Sequence, residues 1–407
     1  MKLTRLSLVA GIIAGLTTTS FAAADTLSDA FKNGQVSGEL RAYYFDRDGS
    51  PDNSTTTTKA NLLTTGVILK YITDSLYGFK VGMTVQSSYA PFADEEAKDV
   101  FKGDMWGSGV QFSEAYLQYT FGKTKVKIGR QFIGSPLVAG SPSRMVTQSF
   151  EGATITTTEI PDTMVMAGVI TKYQTRTDGA GNISEFGALD AWDTEHNHAY
   201  TVFVVNNSLP NTTIKAQWAG LNTNDNTIAG GDIDLFYGEV NYKVPVNDFT
   251  YGLAFNTEYK SATTKSDGFM YGAMASLGYK DFNTYFAYTV ITDEGDIYGT
   301  HPLVGGIGGG AQTTFAHGYQ NKYGIYTRDT NLFSFDANYK LKQYGLLIGA
   351  RYTGVENNYI DKDYGYTDLY TVYDVQALQG LTFDVSYQDW SKDCDGHDLW
   401  FKAIYKF

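Results

Sequence analysis

The feature that most constrains this chain is an alternation of apolar and polar residues with period two. It recurs from Gln35 to Phe407 in segments of about 9–12 residues. Phe79, Val81, Met83 and Val85 share one face of such a segment, and Lys80, Gly82, Thr84 and Gln86 the other. Phe333, Phe335, Ala337, Tyr339 and Leu341 alternate with Ser334, Asp336, Asn338 and Lys340. Phe383, Val385 and Tyr387 alternate with Thr382, Asp384, Ser386 and Gln388. Successive side chains of a strand point to opposite faces, and strands of this length, tilted, cross a bilayer. In a soluble sandwich the strands are shorter and the polar face looks outward. The fold class expected is therefore all-β: a transmembrane antiparallel β-barrel, apolar outside and polar within.

Composition agrees. The chain has 31 Tyr and 24 Phe in 407 residues, with 43 Gly and only 8 Pro, as suits strands whose apolar faces are spread thinly over a large surface. Beyond the N-terminus there is no long uncharged apolar run, which excludes a helical membrane protein. We count eighteen strands; that at 150–158 has the weakest pattern, and another is read at 367–377. The connections alternate short and long. Gly122-Lys123, Lys280-Asp281, Lys342-Gln343 and Leu378-Gln379 are short, whereas 46–60, 90–110, 133–149 and 292–330 are long. Short periplasmic turns and long external loops have this asymmetry, and an even strand number leaves both termini on the periplasmic side.

At the N-terminus, Lys2 and Arg5 precede an apolar run from Leu6 to Leu16, then Ala22-Ala23-Ala24. This is the pattern of a secretory signal peptide with cleavage before Asp25, and the run is too short for a spanning helix. Residues 1–24 are thus read as the signal peptide. Residues 25–407 have no linker or composition break and are read as one barrel domain. A net charge of −13 excludes nucleic acid as a partner, because phosphates demand a basic surface. The single cysteine, Cys394, excludes a disulfide framework and a cysteine-based zinc site.

Two stretches resemble the OprD-type family of outer-membrane porins, with the major porins of epsilon-proteobacteria as near relatives. One is Ser28-Asp29-Ala30-Phe31-Lys32-Asn33-Gly34 with the strand Val36 to Asp48. The other runs from Ile128-Gly129-Arg130-Gln131 through Ser135-Pro136-Leu137 and Ser143-Arg144-Met145 to Gln148-Ser149-Phe150-Glu151-Gly152-Ala153. The resemblance implies an eighteen-stranded barrel of the bacterial outer membrane with an inward-folded third loop, Phe132 to Phe150. It implies passive diffusion of small hydrophilic solutes and ions, often carboxylates or amino acids, with Arg144 at the constriction. Thr147 stands where family members often carry a proline. The partners implied are outer-membrane lipid and lipopolysaccharide, small hydrophilic solutes and, by porin analogy, two further copies in a homotrimer.

Strand parity turns Arg41, Lys70, Lys80, Lys125, Lys127, Arg351, Glu39, Glu114, Glu258, Asp336 and Asp384 into the lumen. As selectivity residues we single out Arg144, Arg130, Arg41, Glu114, Lys80 and Arg351. Arg130 is the awkward member: its parity is that of the lipid-facing Val126 and Ile128, so it needs a bulge or the loop to turn inward. The five histidines, His196, His198, His301, His317 and His397, fall in loops or at strand ends and assemble no ligand set for zinc. Acidic pairs such as Asp46-x-Asp48, Asp361-x-Asp363 and Asp393-x-Asp395 have oxygen spacing that suits Ca²⁺, but none has the distal Glu of a complete loop. No cofactor is expected, with Ca²⁺ in the external loops as the one alternative. Gly305-Gly306-Ile307-Gly308-Gly309-Gly310 follows no strand and opens no helix, so it is no dinucleotide site; in the longest loop its glycines are read as a source of flexibility. Two other functions have less support. An outer-membrane enzyme of barrel type needs a catalytic signature, and none is present. A secreted β-rich adhesin needs no sorting of short and long loops.

Overall fold

The computed structural model describes residues 24–50, 58–189, 196–223, 231–263, 266–298, 305–320 and 325–407. The segment read as a signal peptide, apart from Ala24, and His301 lie outside them. Eighteen long strands form one closed antiparallel sheet. They are β1 (Gln35–Ser50), β2 (Thr58–Ile72), β3 (Phe79–Ser88), β4 (Gly109–Phe121), β5 (Thr124–Gln131), β6 (Ser149–Thr157), β7 (Thr163–Gln174), β8 (His196–Asn206) and β9 (Thr212–Thr223). The second half comprises β10 (Ile233–Val246), β11 (Phe249–Ala262), β12 (Gly268–Tyr279), β13 (Phe282–Ile291), β14 (Thr330–Leu341), β15 (Leu346–Asn357), β16 (Lys362–Asp374), β17 (Leu381–Lys392) and β18 (Asp395–Lys406). Each pairs with its sequence neighbours, and β1 pairs with β18 from Glu39↔Lys406 to Ser50↔Asp395, which closes the barrel. A two-residue strand, Phe186–Gly187, adds only to the end of β7.

All eighteen strands expected from the alternation form, including the weak one at β6. The differences lie at the strand tops. β1 continues to Ser50, and β16 begins at Lys362 rather than at 367. Their polar residues resemble a loop, yet the hydrogen-bond ladder continues above the bilayer, where water takes the place of lipid.

The faces follow the pleat. In β3 the even residues from Gly82 to Ser88 are buried, and Phe79 at its start is exposed. In β14, Ser334 and Asp336 are buried, and Phe335 is 52% exposed on the outside. Two bulges repair the alternation where the sequence breaks it. Counting outward from Leu117 in β4, strict alternation would expose Ser113 and Gln111 to lipid. One extra residue opposite Thr84/Val85 turns Phe112 outward instead and leaves Ser113 and Glu114 both buried. In β7, a bulge opposite Glu151/Gly152 turns Tyr173 inward and Lys172 outward.

The short helix α1 (Leu27–Lys32) is capped by Thr26, whose Oγ accepts from Asp29 N at 3.1 Å. Its Ala30 carbonyl accepts from Asp74 N, which ties it to the turn before β3. At the opposite end α2 (Glu95–Phe101) lies in the loop between β3 and β4. Its Phe101 packs in a cluster with Phe45, Trp400 and Met145.

The depth of β14 gives a direct test. Phe335→Arg, mid-strand on the lipid face, should lower stability by about 2–4 kcal/mol in urea titrations of protein folded into vesicles. Asn331→Arg, near the rim of the same face, should cost about 0–1 kcal/mol. Equal losses at the two positions would contradict the assignment of depth.

Candidate functional site

The inward faces enclose a cavity of about 2980 Å³. It is lined by strand residues and, among the loops, by segments 132–148 and 305–320 together with residues of 100–105 and 175–188. Opposite walls hold the first segment. Gln86, inward on β3, meets the backbone of Thr147 with both ends of its amide: Thr147 N donates to Oε1 at 2.8 Å, and Nε2 donates to Thr147 O at 2.8 Å. A proline at position 147 could not supply that N–H, so the departure from the family pattern is put to use. On the far side Gln217 of β9 accepts from Leu137 N at 2.9 Å and donates to Ser135 Oγ at 2.8 Å. These groups are buried, and losing one partner would strand the other without water.

The second segment is laid along the first. Ile307 N donates to Leu137 O at 2.7 Å, Ala139 N donates to Ile307 O at 3.0 Å, and Gly310 N donates to Ala139 O at 2.9 Å. Val138 and Ile307 thereby form a parallel bridge. The glycine run has a steric purpose here that contradicts its reading as a flexible tract. A Cβ on Gly306 would overlap Leu137 O, one on Gly309 would overlap the Gln148 amide, and one on Gly310 would overlap Gly140. Gly308 also sits at φ +85°, where a side chain is strained. Further along, Tyr319 N donates to Asp368 at 3.0 Å, and Gln320 donates to Ser386 Oγ at 2.6 Å. Tyr319 stacks on Tyr370 with ring centroids 4.4 Å apart.

The singled-out residues divide. Arg144 lines the cavity; its Nε donates to Asp104 Oδ2 at 2.8 Å, and its guanidinium lies 4.2 Å from the Trp400 ring centroid. Arg176 pairs with the other oxygen of Asp104, so one carboxylate joins two guanidiniums. Burial opposes ionisation of Asp104, but Arg144 and Arg176 hold its carboxyl well below the ordinary carboxylate range. Lys80 lines the cavity and has no ion pair among the described residues. Glu114 also lines it, neutralised by Lys70 at 3.2 Å and held by Thr84 Oγ at 2.7 Å. Arg351 lines it too, paired with Asp336 at 3.0 Å and set beside the rings of Tyr285 and Tyr319.

The other two differ from expectation. Arg41 is turned inward but is 7% exposed and does not line the open cavity. Its Nη1 donates to the carbonyls of Arg144 (2.9 Å) and Met145 (3.1 Å), and Glu39 balances its charge at 2.7 Å, so it anchors the loop. Arg130 does not turn inward. Its register with Ala115 keeps it on the outer face, where it pairs with Glu151 at 3.2 Å. No bulge intervenes in β5 to change its parity, so the alternation wins.

Sequence reasoning missed Asp104, Arg176, Gln86 and Gln217. The first two lie in loops, which carry no periodic signal. The glutamines were on inward faces, but nothing in the chain marks which inward amide will meet a loop. The acidic pairs of the external loops mostly meet lysines: Asp48 with Lys59 at 2.8 Å, Asp363 with Lys392 and Asp393 with Lys362 at 3.8 Å each. Of the histidines, His317 lies in the second lumen segment, and the His196 side chain is outside the described set.

Among the lining charges, Lys70, Lys80, Lys125 and Lys127 come from β2, β3 and β5. On the other side Glu239 of β10 and Asp384 of β17 line the cavity, paired with Lys215 and Lys402; Asp336, paired with Arg351, and Asp368 are buried and do not line it.

Residues 29–206 match the family described as outer membrane porin, OprD family. No curated protein sequence matches the chain. Among solved structures, OccAB2 of Acinetobacter baumannii is 17% identical with a TM-score of 0.75, covering 93% of this chain and 99% of that one. Pseudomonas aeruginosa OpdK with vanillate is 15% identical with a TM-score of 0.74 over 93% and 99%. Pseudomonas aeruginosa OccK8 (OprE) is 11% identical with the same score and coverage. These structures share the fold, and the family match lies on the half of the barrel that carries the first lumen segment. Residues 29–206 are thus similar to the OprD family of outer membrane porins, and the chain is a β-barrel channel of the bacterial outer membrane through which small solutes diffuse.

Proposed function

We infer that this channel favours small anionic solutes, carboxylates foremost, and that segments 132–148 and 305–320 set its aperture. The observation that carries this reading is the sign of the cavity wall. Among the described residues that line it, eleven are Lys or Arg and eight are Asp or Glu, a net of +3 in a chain of net −13. Low-dielectric walls concentrate that potential on a passing ion. Lysines of β2, β3 and β5 place much of that positive charge on one side of the passage. Vanillate, named with one structural neighbour, is a carboxylate and fits the class. Diffusion of this kind needs no cofactor. The same reading has the chain exported with cleavage before Asp25, seated among lipid and lipopolysaccharide, and associated as a homotrimer.

Planar-bilayer recording in a salt gradient tests the selectivity. Wild type should give discrete steps with an anion-side reversal potential. Lys80→Glu combined with Lys127→Glu should move that potential to the cation side, and Arg144→Ala should move it part of the way. A reversal potential unchanged by all three substitutions would remove the basic wall from the selectivity.

Gln86→Ala should free the 132–148 segment at one end, seen as larger and noisier conductance steps; steps identical to wild type would show that the other anchors suffice. A depressed carboxyl contributes stability above its unfolded value and loses it only as pH falls through its folded value. The Asp104 cluster should therefore keep conductance steady from about pH 8 to pH 5. Asp104→Asn, which removes the charge, should give the acid-like trace already at neutral pH. A titration of wild type centred near the ordinary carboxylate value would contradict the cluster.

A further inference from the structure

We propose that the seam between β2 and β3 is a side passage through which small apolar molecules, the size of a single hydrocarbon ring, exchange between the lumen and the bilayer. This route is separate from the path of anions along the axis and goes beyond it. Neighbouring strands are joined by ladders of paired residues. The ladder between β2 and β3 is the shortest among the eighteen long strands, running only from Ile68↔Gln86 to Ile72↔Gly82. Counting on, Val67 stands opposite Ser87, but the two are not paired in the ladder. The Ser87 hydroxyl lies between the chains: Val67 N donates to its Oγ at 3.1 Å, and the Oγ donates to Val67 O at 3.4 Å. One isolated bridge, Thr65↔Tyr89, follows above the gap. In hydrocarbon a backbone N–H has no water to turn to, so a ladder interrupted there is a weak place in the wall. Val67 stands five residues above Ile72, the lower end of β2. At a strand rise of about 3.3 Å per residue and a tilt of about 40°, that is about 13 Å above the periplasmic end, near the middle of an apolar band about 25 Å tall.

Both sides of the seam are apolar. On the outside a pocket of about 490 Å³ opens at the gap, with Leu40, Val67, Tyr89 and Val110, all exposed, on its rim. An apolar cavity of about 150 Å³ is enough for benzene, so there is room for a molecule of that class. On the inside, Gly66 faces the lumen segment 132–148. A Cβ on Gly66 would overlap the sulfur of Met145, so that side chain lies directly on bare backbone. Arg41, opposite Gly66 in β1, holds Met145 in place through its carbonyl. Met145 belongs to an apolar cluster with Leu62, Phe101, Met105 and Trp400. Phe101, Met105 and Trp400 also line the open cavity. Apolar groups therefore lead from the cavity wall through Met145 to Gly66, and across the gap to the pocket on the lipid side. A polar solute would give up its water on this path for nothing, whereas an apolar one is better placed there than in the aqueous lumen. Met145 is the seal. Its unbranched side chain turns about three bonds, so it can swing off Gly66 and return.

The test uses the chain folded into nanodiscs, with Cys394→Ser as background. A toluene-sized aryl diazirine, dissolved in the membrane and photolysed, should label Met145 and Phe101 as well as the lipid-facing Phe335, read by peptide mass spectrometry. Val67→Cys combined with Ser87→Cys sets two thiols opposite each other across the gap. Oxidised to a disulfide after folding, the pair should cut the labelling of Met145 and Phe101 severalfold, leave Phe335 labelled and leave the conductance step unchanged. Reduction should restore the inner label. The conductance step separates loss of the side passage from loss of the axial channel. Met145→Ala, which removes the seal, should raise the labelling of Phe101. Inner labelling that the disulfide does not alter would overturn the proposal and assign entry to the mouth of the barrel. A barrel with Phe335 labelled but neither Met145 nor Phe101 would overturn it outright.

Discussion

Every backbone N–H and C=O of a segment inside the bilayer must find its partner within the protein, because the hydrocarbon offers none. For strands this leaves closure as the one solution, and the pairing of β1 with β18 provides it. Much else follows from that seam. Closure fixes an inside and an outside for every strand, so one residue of slip would carry lumen charges into lipid. The bulges in β4 and β7 belong to the same logic. Each absorbs one residue of misfit so that Phe112 meets lipid and Tyr173 meets the lumen. A wide barrel also leaves room inside, and the long external loops can use its inward amides and hydroxyls as attachment points.

The barrel was legible in the sequence because its signal is periodic and repeated. The pattern is strong enough that even β6, with its mixed Thr-Ile-Thr-Thr end, falls where alternation places it. Parity also placed Lys80, Glu114 and Arg351 correctly on the inner wall. The same rule put Arg130 outside, and the structure keeps it there. What was not legible is what has no period. The joining of Asp104 to Arg144 and Arg176 depends on three loop residues 32 to 72 positions apart, and nothing local marks them. The bulges were hidden too, since a one-residue insertion changes the phase without changing the composition. The glycine run shows a further limit: glycine is the residue of free backbone and of close approach alike, and only the neighbour decides which.

Charge is handled differently at each depth. Inside, most ions are paired side to side along the wall, as Lys215 with Glu239 and Arg351 with Asp336. Arg41 gives its charge to loop carbonyls and takes no part in the open field. Lys80 and Lys127 are among the exceptions, facing the cavity with no ion pair among the described residues, though Lys127 lies 4.1 Å from the Tyr116 ring centroid. The sign of the lumen thus comes from a few side chains, while the overall negative charge belongs to the rest of the surface.

The parallel bridge between Val138 and Ile307 also dictates an order of assembly. Its two halves are separated by eight strands, β6 to β13, and cannot meet until those strands stand side by side. Contacts so distant in sequence form late, after the chain entropy of the intervening segments has been spent. A barrel still being closed therefore has a lumen whose two crossing segments are not yet joined. The inside of the molecule is the last part to settle as it folds.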